Sequence, residues 1–168
     1  MRRVEGLSLI ELVMVIVILG ILAAFVGPVL FNAMRSYESG QSARLTQAKM
    51  RYAIERMSRE LREVRRQTND ATFPDITAMS ATGITFFKTD GTQVVISAAG
   101  NQLNLSYVPV TGILTDQLGT FQLAYFQQDG VTVPATSASL AFIQVSMTVS
   151  EGTNLFSNRV RVELKNPQ

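Results

Sequence analysis

The first part of the chain is apolar on every side. Between Leu12 and Phe31 the sequence is apolar throughout, interrupted by Gly20, Gly27 and Pro28. A helix of that length covers about 30 Å, which is the thickness of the hydrocarbon core of a bilayer. The pattern therefore predicts a membrane-spanning helix.

Two features bear on how such a span is used. Arg2 and Arg3 precede it, and by the positive-inside rule they keep the N-terminus cytoplasmic and send the remainder of the chain outward. A cleaved secretory signal is the alternative, because Gly20 to Ala23 loosely resembles a small-residue cleavage site. The apolar residues continue beyond Ala23 and lead directly into a helical pattern, which favours an uncleaved span.

A one-sided pattern follows Asn32. An apolar stripe recurs every three or four residues, as on one helix face, at Met50, Ile54, Met57, Leu61 and Val64. Leu45 and Ala48 extend the stripe backwards less strictly. The other faces carry the charged residues Arg51, Glu55, Arg56, Arg59, Glu60, Arg62 and Glu63. Opposite charges four residues apart form three predicted pairs, Arg51/Glu55, Glu55/Arg59 and Arg59/Glu63. We expect one helix from Leu7 to about Arg66.

Short alternating segments make up the second half of the chain. The predicted strands are Ile84–Lys88, Gln93–Ile96, Leu103–Val108, Phe121–Phe126, Val131–Val133, Ala141–Val149 and Arg159–Leu164. Asp90-Gly91 between the first two is a hairpin signal. The segments 67–82, 109–119 and 134–139 are rich in Thr, Ser, Ala and Gly and are expected to be loops. The prediction is an α+β fold, with the amphipathic helix packed on a C-terminal antiparallel sheet.

The composition argues against catalysis. The chain has no cysteine and no histidine, which excludes disulfides, thiol nucleophiles and histidine-dependent acid–base chemistry. Three aspartates, Asp70, Asp75 and Asp129, are conceivable calcium ligands, but no EF-hand spacing supports them and turn or cap roles are expected. We therefore predict a protein that is not an enzyme, with no cofactor and no metal site.

Three residues do not suit an ordinary membrane span. Glu11 is an acid at the head of the apolar stretch, with no cation beside it in the sequence. A carboxylate within a membrane is costly, so it is normally kept for a partner. Gly20 and Pro28 both weaken the helix between them, since proline removes a backbone hydrogen bond and glycine adds backbone freedom.

The segment Gly6-Leu7-Ser8-Leu9-Ile10-Glu11, after a short basic leader, closely resembles the class III signal of type IV pilins and type II secretion pseudopilins. The resemblance implies that a prepilin peptidase cuts between Gly6 and Leu7 and that the new amine of Leu7 is methylated. The family usually has phenylalanine or methionine where this chain has Leu7. Glu11 then corresponds to the glutamate that pairs with the N-terminal amine of a neighbouring subunit. Gly20 and Pro28 fall where many members have helix-breaking residues.

A second, shorter resemblance concerns the segments 53–62 and 125–130. They are similar to minor pseudopilins of the J type in type II secretion and to the O-type minor pilin of MSHA pili. We expect a minor subunit that assembles into an MSHA-like pilus and primes assembly or caps the tip, with a type II secretion subunit as the alternative. The expected division is a leader at 1–6, a filament-core helix at 7–32, an amphipathic helix at 33–67 and a strand-rich domain at 68–168.

The same resemblance implies the partners and the location. The expected partners are other pilin or pseudopilin subunits, the prepilin peptidase, the inner-membrane assembly platform and, before assembly, the lipid bilayer. The protein is expected in the bacterial inner membrane and then in the fibre. An adhesive or DNA-binding tip subunit stays open as a further alternative, although the glutamates between the arginines of 51–62 make nucleic acid an unexpected partner. A membrane-tethered enzyme also stays open.

Overall fold

The structure is a computed structural model that describes residues 8–67, 73–152 and 154–164. Contacts divide the chain into a unit that ends at Ser42 and a unit that begins at Ala43. The described residues form one long α-helix, a short 3-10 helix at Ser137–Ser139 and eight strands. These are α1 (Leu9–Arg62), β1 (Ile76–Met79), β2 (Gly83–Phe87), β3 (Gln93–Ala99), β4 (Gln102–Tyr107), β5 (Val110–Thr115), β6 (Leu118–Phe126), β7 (Phe142–Glu151) and β8 (Asn154–Glu163).

Helix α1 ends at Arg62, so the prediction that it continues to Arg66 was wrong. Val64 and Arg66 instead form isolated bridges with Lys88 and Pro74. The backbone between them adopts strand geometry, and the amide of Arg65 donates to the carbonyl of Phe87 at 2.9 Å. The end of the helix is thus determined by a backbone partner from β2 that the local sequence does not reveal.

Two antiparallel sheets follow the helix. One has the order β1-β2-β3-β4-β5 and the other the order β6-β7-β8. The predicted β2–β3 hairpin is confirmed: Asp90 Oδ1 accepts a 2.8 Å hydrogen bond from the amide of Thr92, and Gly91 has a φ of +84°. That angle lies in the left-handed region, which glycine adopts without strain. The α+β architecture, a long helix with an antiparallel strand domain, is confirmed.

Three strand assignments differ from the prediction. β1 and β5 lie within segments expected to be loops. Val131–Val133 was predicted as a strand and is a turn and bend region. Asp129 explains that difference, because its Oδ1 accepts hydrogen bonds from the amides of Val131 at 3.0 Å and Thr132 at 2.9 Å.

The core lies between the second part of α1 and the sheets. Four members of the predicted stripe are buried, and Val64 is half-buried. The backward extension was wrong, since Leu45 is 59 % exposed and Ala48 is exposed; Thr46 and Ala53 are buried instead. The fully buried large side chains include Met57, Leu61, Ile84, Phe86, Val94, Ile96, Leu103, Ile143, Val145, Met147 and Val149.

Candidate functional site

The N-terminal turn of α1 is capped by the residues that precede it. The amide of Glu11 donates to the side-chain Oγ of Ser8 at 3.3 Å and to its carbonyl oxygen at 3.1 Å. Ser8 and Glu11 have the spacing of a capping box, in which a serine precedes the helix and an acid occupies its third position. The carboxylate of Glu11 therefore lies in the first turn, where the helix dipole favours a negative charge.

Glu11 is exposed and surrounded by apolar neighbours. Leu9, Ile10 and Leu12 are 86 %, 67 % and 54 % exposed. Within residues 8–67, 73–152 and 154–164 no cation lies at ion-pair distance from Glu11. The acid thus has no charge partner inside the described part of this chain.

The apolar surface of α1 is uncovered. Every large hydrophobic side chain from Leu9 to Phe31 is at least 47 % exposed. The helix is long and apolar enough to cross a membrane. A continuous exposed apolar surface of this size marks contact with lipid or with other protein.

Helix α1 continues without a break through Gly20 and Pro28. Pro28 has no amide hydrogen, so the carbonyl of Ala24 lacks its usual donor four residues ahead. A Cβ built on Gly20 or Gly27 meets nothing within 4 Å. Packing inside the described chain therefore does not require either glycine.

Several residues of the sequence prediction lie outside the described residues. At the N-terminus they are Arg2, Arg3, Gly6 and Leu7. The proposed cut and the basic leader therefore rest on the sequence. Asp70, one of the three aspartates considered as calcium ligands from the sequence, also lies outside the described residues.

A buried charged cluster joins α1 to the five-stranded sheet, and the sequence analysis missed it. Glu60, predicted on a charged outer face, is 1 % exposed. Its Oε1 accepts hydrogen bonds or ion pairs from Tyr107 Oη at 2.7 Å and Arg56 Nη2 at 3.1 Å. Lys88 Nζ lies 3.2 Å from Glu60 Oε2, without a well-oriented hydrogen bond, and 2.7 Å from Glu63 Oε2.

The cluster raises the pKa of Lys88 and of Tyr107. The hydrogen bond to Glu63 is the main cause that raises the pKa of Lys88, and Glu60 adds to it. Burial and then the hydrogen bond to Glu60 raise the pKa of Tyr107. Both shifts favour the protonated form at neutral pH. The cluster therefore forms polar structural contacts between helix and sheet, with Glu60 Oε2 held by the charge of Lys88 rather than by a hydrogen bond.

The charged pairs and the acidic residues were only partly predicted. Of the three pairs predicted along the helix, Arg59–Glu55 is present at 3.6 Å, while Glu63 pairs with Lys88 instead. Asp75 accepts a 2.7 Å hydrogen bond from Arg65 Nε. In the part of the chain that the structure describes, no three acidic side chains come together as metal ligands would.

One comparison with known proteins finds a match. A family model described as the prokaryotic N-terminal methylation motif matches residues 1–27. The matched segment includes Gly6, Glu11 and Gly20, and it supports a type IV pilin-like precursor. Together with the exposed apolar helix, it also supports anchoring in the inner membrane. No curated protein matches the chain.

Proposed function

We propose that this chain is a minor pilin or pseudopilin, a structural subunit that assembles through its N-terminal helix into a type IV, MSHA-like fibre. One observation carries the proposal. The exposed apolar part of α1 begins with an acid that has no charge partner in the described chain, within a segment that matches a methylation motif. The role is structural rather than catalytic.

Processing would convert the precursor into an assembly-competent subunit. A prepilin peptidase would cut between Gly6 and Leu7, and the new amine of Leu7 would be methylated. That amine stands four residues before Glu11 and so on the same side of a helix. A positive charge would then be available near the carboxylate, either in the same chain or in a neighbour.

Pairing of Glu11 with a neighbour's amine would set the register of subunits. A carboxylate left unpaired at the centre of a membrane helix costs about 2.5–3.5 kcal/mol, and less towards the interface. A subunit displaced along the fibre axis leaves two charges unpaired, so the correct axial position is favoured over its neighbours. The capping by Ser8 holds Glu11 in the first turn, where such a pair forms.

The proposed assembly role assigns a function to each segment of the chain. The proposed segments are the leader 1–6, the filament-core helix 7–32, the amphipathic helix 33–67 and the strand-rich domain 68–168. The N-terminus would lie in the cytoplasm and the strand domain outside it. The segment from Gly20 to Pro28 would loosen when the subunit leaves the membrane and joins other helices.

Fibre incorporation of Glu11→Val tests the assembly role. Cells would carry the full-length variant in place of the native chain, and sheared fibres would be assayed for the subunit. Processing should continue, while the amount in fibres falls by about tenfold or more. Glu38→Val is the matched control, because Glu38 is an exposed acid of the same helix outside the motif. Equal incorporation of both variants would contradict the pairing account.

The minor role has its own test. Quantitative mass spectrometry of purified fibres should find far fewer copies of this chain than of the most abundant pilin. Deletion of the chain should lower the number of fibres per cell without changing the composition of their shafts. A copy number equal to that of the main subunit would show a shaft subunit instead.

A further inference from the structure

A groove lies beside α1 in the unit that begins at Ala43. It has a volume of about 1170 Å³ and is lined by Arg51, Ser58 and Arg62 of the helix and by Asn158, Val160 and Arg161 of β8. Adjacent residues of a strand point to opposite faces of a sheet. Since Val160 and Arg161 both line the groove, it follows the edge of the strand rather than one face.

That edge has free backbone groups. β8 is a ten-residue strand at the end of the order β6-β7-β8, and in the described residues it pairs with β7 alone. The side of an edge strand that faces away from its neighbour presents a row of N–H and C=O groups without strand partners. On β8 the amide of Arg159 in this row donates to Asn158 Oδ1 at 2.7 Å, and the rest of the row is open to a further strand. Such a row accepts an extended peptide as an added strand.

The charges along the groove are not balanced. Arg59 is paired with Glu55, and Glu63 with Lys88. In the described part of the chain, the arginines of the groove without a carboxylate partner are Arg51, Arg62 and Arg161, and the acid without a cation is Glu163. The groove therefore has an excess of positive charge.

Arg161 is fixed in place although its charge is not neutralised. Its Nη1 donates to the carbonyl of Gly130 at 3.2 Å and its Nη2 to Gln144 Oε1 at 3.3 Å. The guanidinium also stacks 4.6 Å from the centre of the Phe126 ring. These partners lie on β6, on β7 and in the loop after β6, so the guanidinium extends away from the open edge of β8. The charges left for a ligand along that edge are therefore those of Arg51 and Arg62.

A buried polar group points to the same groove. Ser58, a lining residue, is 9 % exposed, and its Oγ has no hydrogen-bond partner in the described structure. Buried hydroxyls normally have a partner. A ligand with polar groups along the groove would supply one after a small adjustment of the helix surface.

We propose that the groove between α1 and β8 binds an extended acidic segment of a partner subunit, which adds to β8 as a further strand. Its carboxylates lie against Arg51 and Arg62, and its backbone bonds to the open edge. The identification of the partner as another fibre subunit rests on the proposed function, but the binding chemistry does not. A nucleic acid would use the arginines without adding to the strand edge.

Hydrogen exchange with a defined peptide tests the proposal on the full chain in detergent. The probe is a blocked ten-residue peptide that alternates glutamate with threonine, and its counterpart replaces each glutamate by lysine. We expect the glutamate peptide to slow exchange of the amides of β8 and the lysine peptide to leave them unchanged. Added salt should weaken the binding.

Two matched variants separate the groove from general charge effects. The first variant reverses the charge of both exposed arginines, Arg51→Glu with Arg62→Glu. It should lower the affinity for the glutamate peptide about tenfold. Arg44→Glu is the control on α1, since Arg44 is an exposed arginine of the same helix that does not line the groove. That control should change the affinity by less than about threefold. If the double reversal fails to fold, Arg51→Gln with Arg62→Gln replaces it, with a smaller expected loss.

Several outcomes would overturn the proposal. Binding without protection of β8, equal binding of the lysine peptide, or an equal loss from Arg44→Glu would each exclude strand addition at this groove. A single-stranded oligonucleotide that binds through Arg51 and Arg62 and displaces the peptide would identify a phosphate-binding surface instead. Because this experiment needs no processing and no fibre, its failure is distinguishable from failure of the proposed function.

Discussion

The hydroxyl of Tyr107 donates a 2.7 Å hydrogen bond to Oε1 of Glu60, which joins β4 to the buried side of α1. Arg56 donates to the same hydroxyl at 2.6 Å, so the phenol lies between a cation and an anion. The carboxylate is 1 % exposed and depends on these partners and on Lys88. The helix is thus positioned on the sheet by polar contacts as well as by apolar packing.

Tyr107→Phe tests that contact. The variant leaves a buried carboxylate with one partner fewer, and we expect the free energy of unfolding to fall by about 1–3 kcal/mol. The measurement is urea unfolding of the full chain in detergent. Tyr37→Phe is the control, because Tyr37 is 75 % exposed, and its effect should stay within about 0.5 kcal/mol. Equal effects would show that the hydrogen bond contributes nothing.

The pH dependence of stability provides a second test at Tyr125. Burial raises the pKa of Tyr125 to about 12, and its hydroxyl donates to the carbonyl of Ser80 at 2.8 Å. Between about pH 10 and 12 the unfolded state loses this proton while the folded state keeps it, so stability falls as the pH rises. Tyr125→Phe should flatten this fall, and Tyr37→Phe should not. An unchanged slope in Tyr125→Phe would contradict the assignment.

The packing of the helix on the sheets is tested in the core. Leu61 is fully buried, whereas Leu45 on the same helix is 59 % exposed. Leu61→Ala should lower the free energy of unfolding by about 2–5 kcal/mol, and Leu45→Ala by about 0.5 kcal/mol or less. Urea unfolding of the two variants side by side measures the difference. Similar losses would mean that Leu45 is covered in solution.

The segment from Gly20 to Pro28 is tested by amide exchange. Because the carbonyl of Ala24 lacks a donor, amides in residues 20–27 should exchange faster than those in 12–19 of the detergent-bound chain. Pro28→Ala restores the hydrogen bond and should slow them. Uniform exchange along residues 12–31 of the native chain would contradict the proposal that the helix loosens between Gly20 and Pro28.

The spacing of residues along α1 places Glu60 on the buried side of the helix, although the sequence prediction placed it on a charged outer face. Met57 and Leu61 were placed correctly by the apolar stripe. Glu60 lies on the same buried side, seven residues after the buried Ala53. It was predicted to face solvent because it is charged. Its partners Tyr107 and Lys88 come from distant strands, so no local pattern reveals that the charge is satisfied.

The two strands that were missed share a physical cause. β1 and β5 are the edge strands of their sheet, and β5 is exposed over its first four residues. β1 has one buried residue, Ile76, at its start. Neither strand therefore has an alternating series of buried apolar residues that a sequence pattern could detect. Conversely, Val131 and Val133 alternate with Thr132 as in a strand, but they are 76 % and 71 % exposed. The amides of Val131 and Thr132 donate to Asp129 Oδ1, so this segment turns instead of pairing with a strand. Whether each of these segments forms a strand depends on its hydrogen-bonding partners, and the local sequence does not identify those partners.

N-terminal mass spectrometry of the protein isolated from its own cells tests the central claim most directly. We predict a mature chain that begins at Leu7 and carries one methyl group on its amine. A matched sample from cells that lack the prepilin peptidase should retain the leader, residues 1–6. An intact Met1 in the wild-type cells, or a chain that starts after Ala23, would contradict the account.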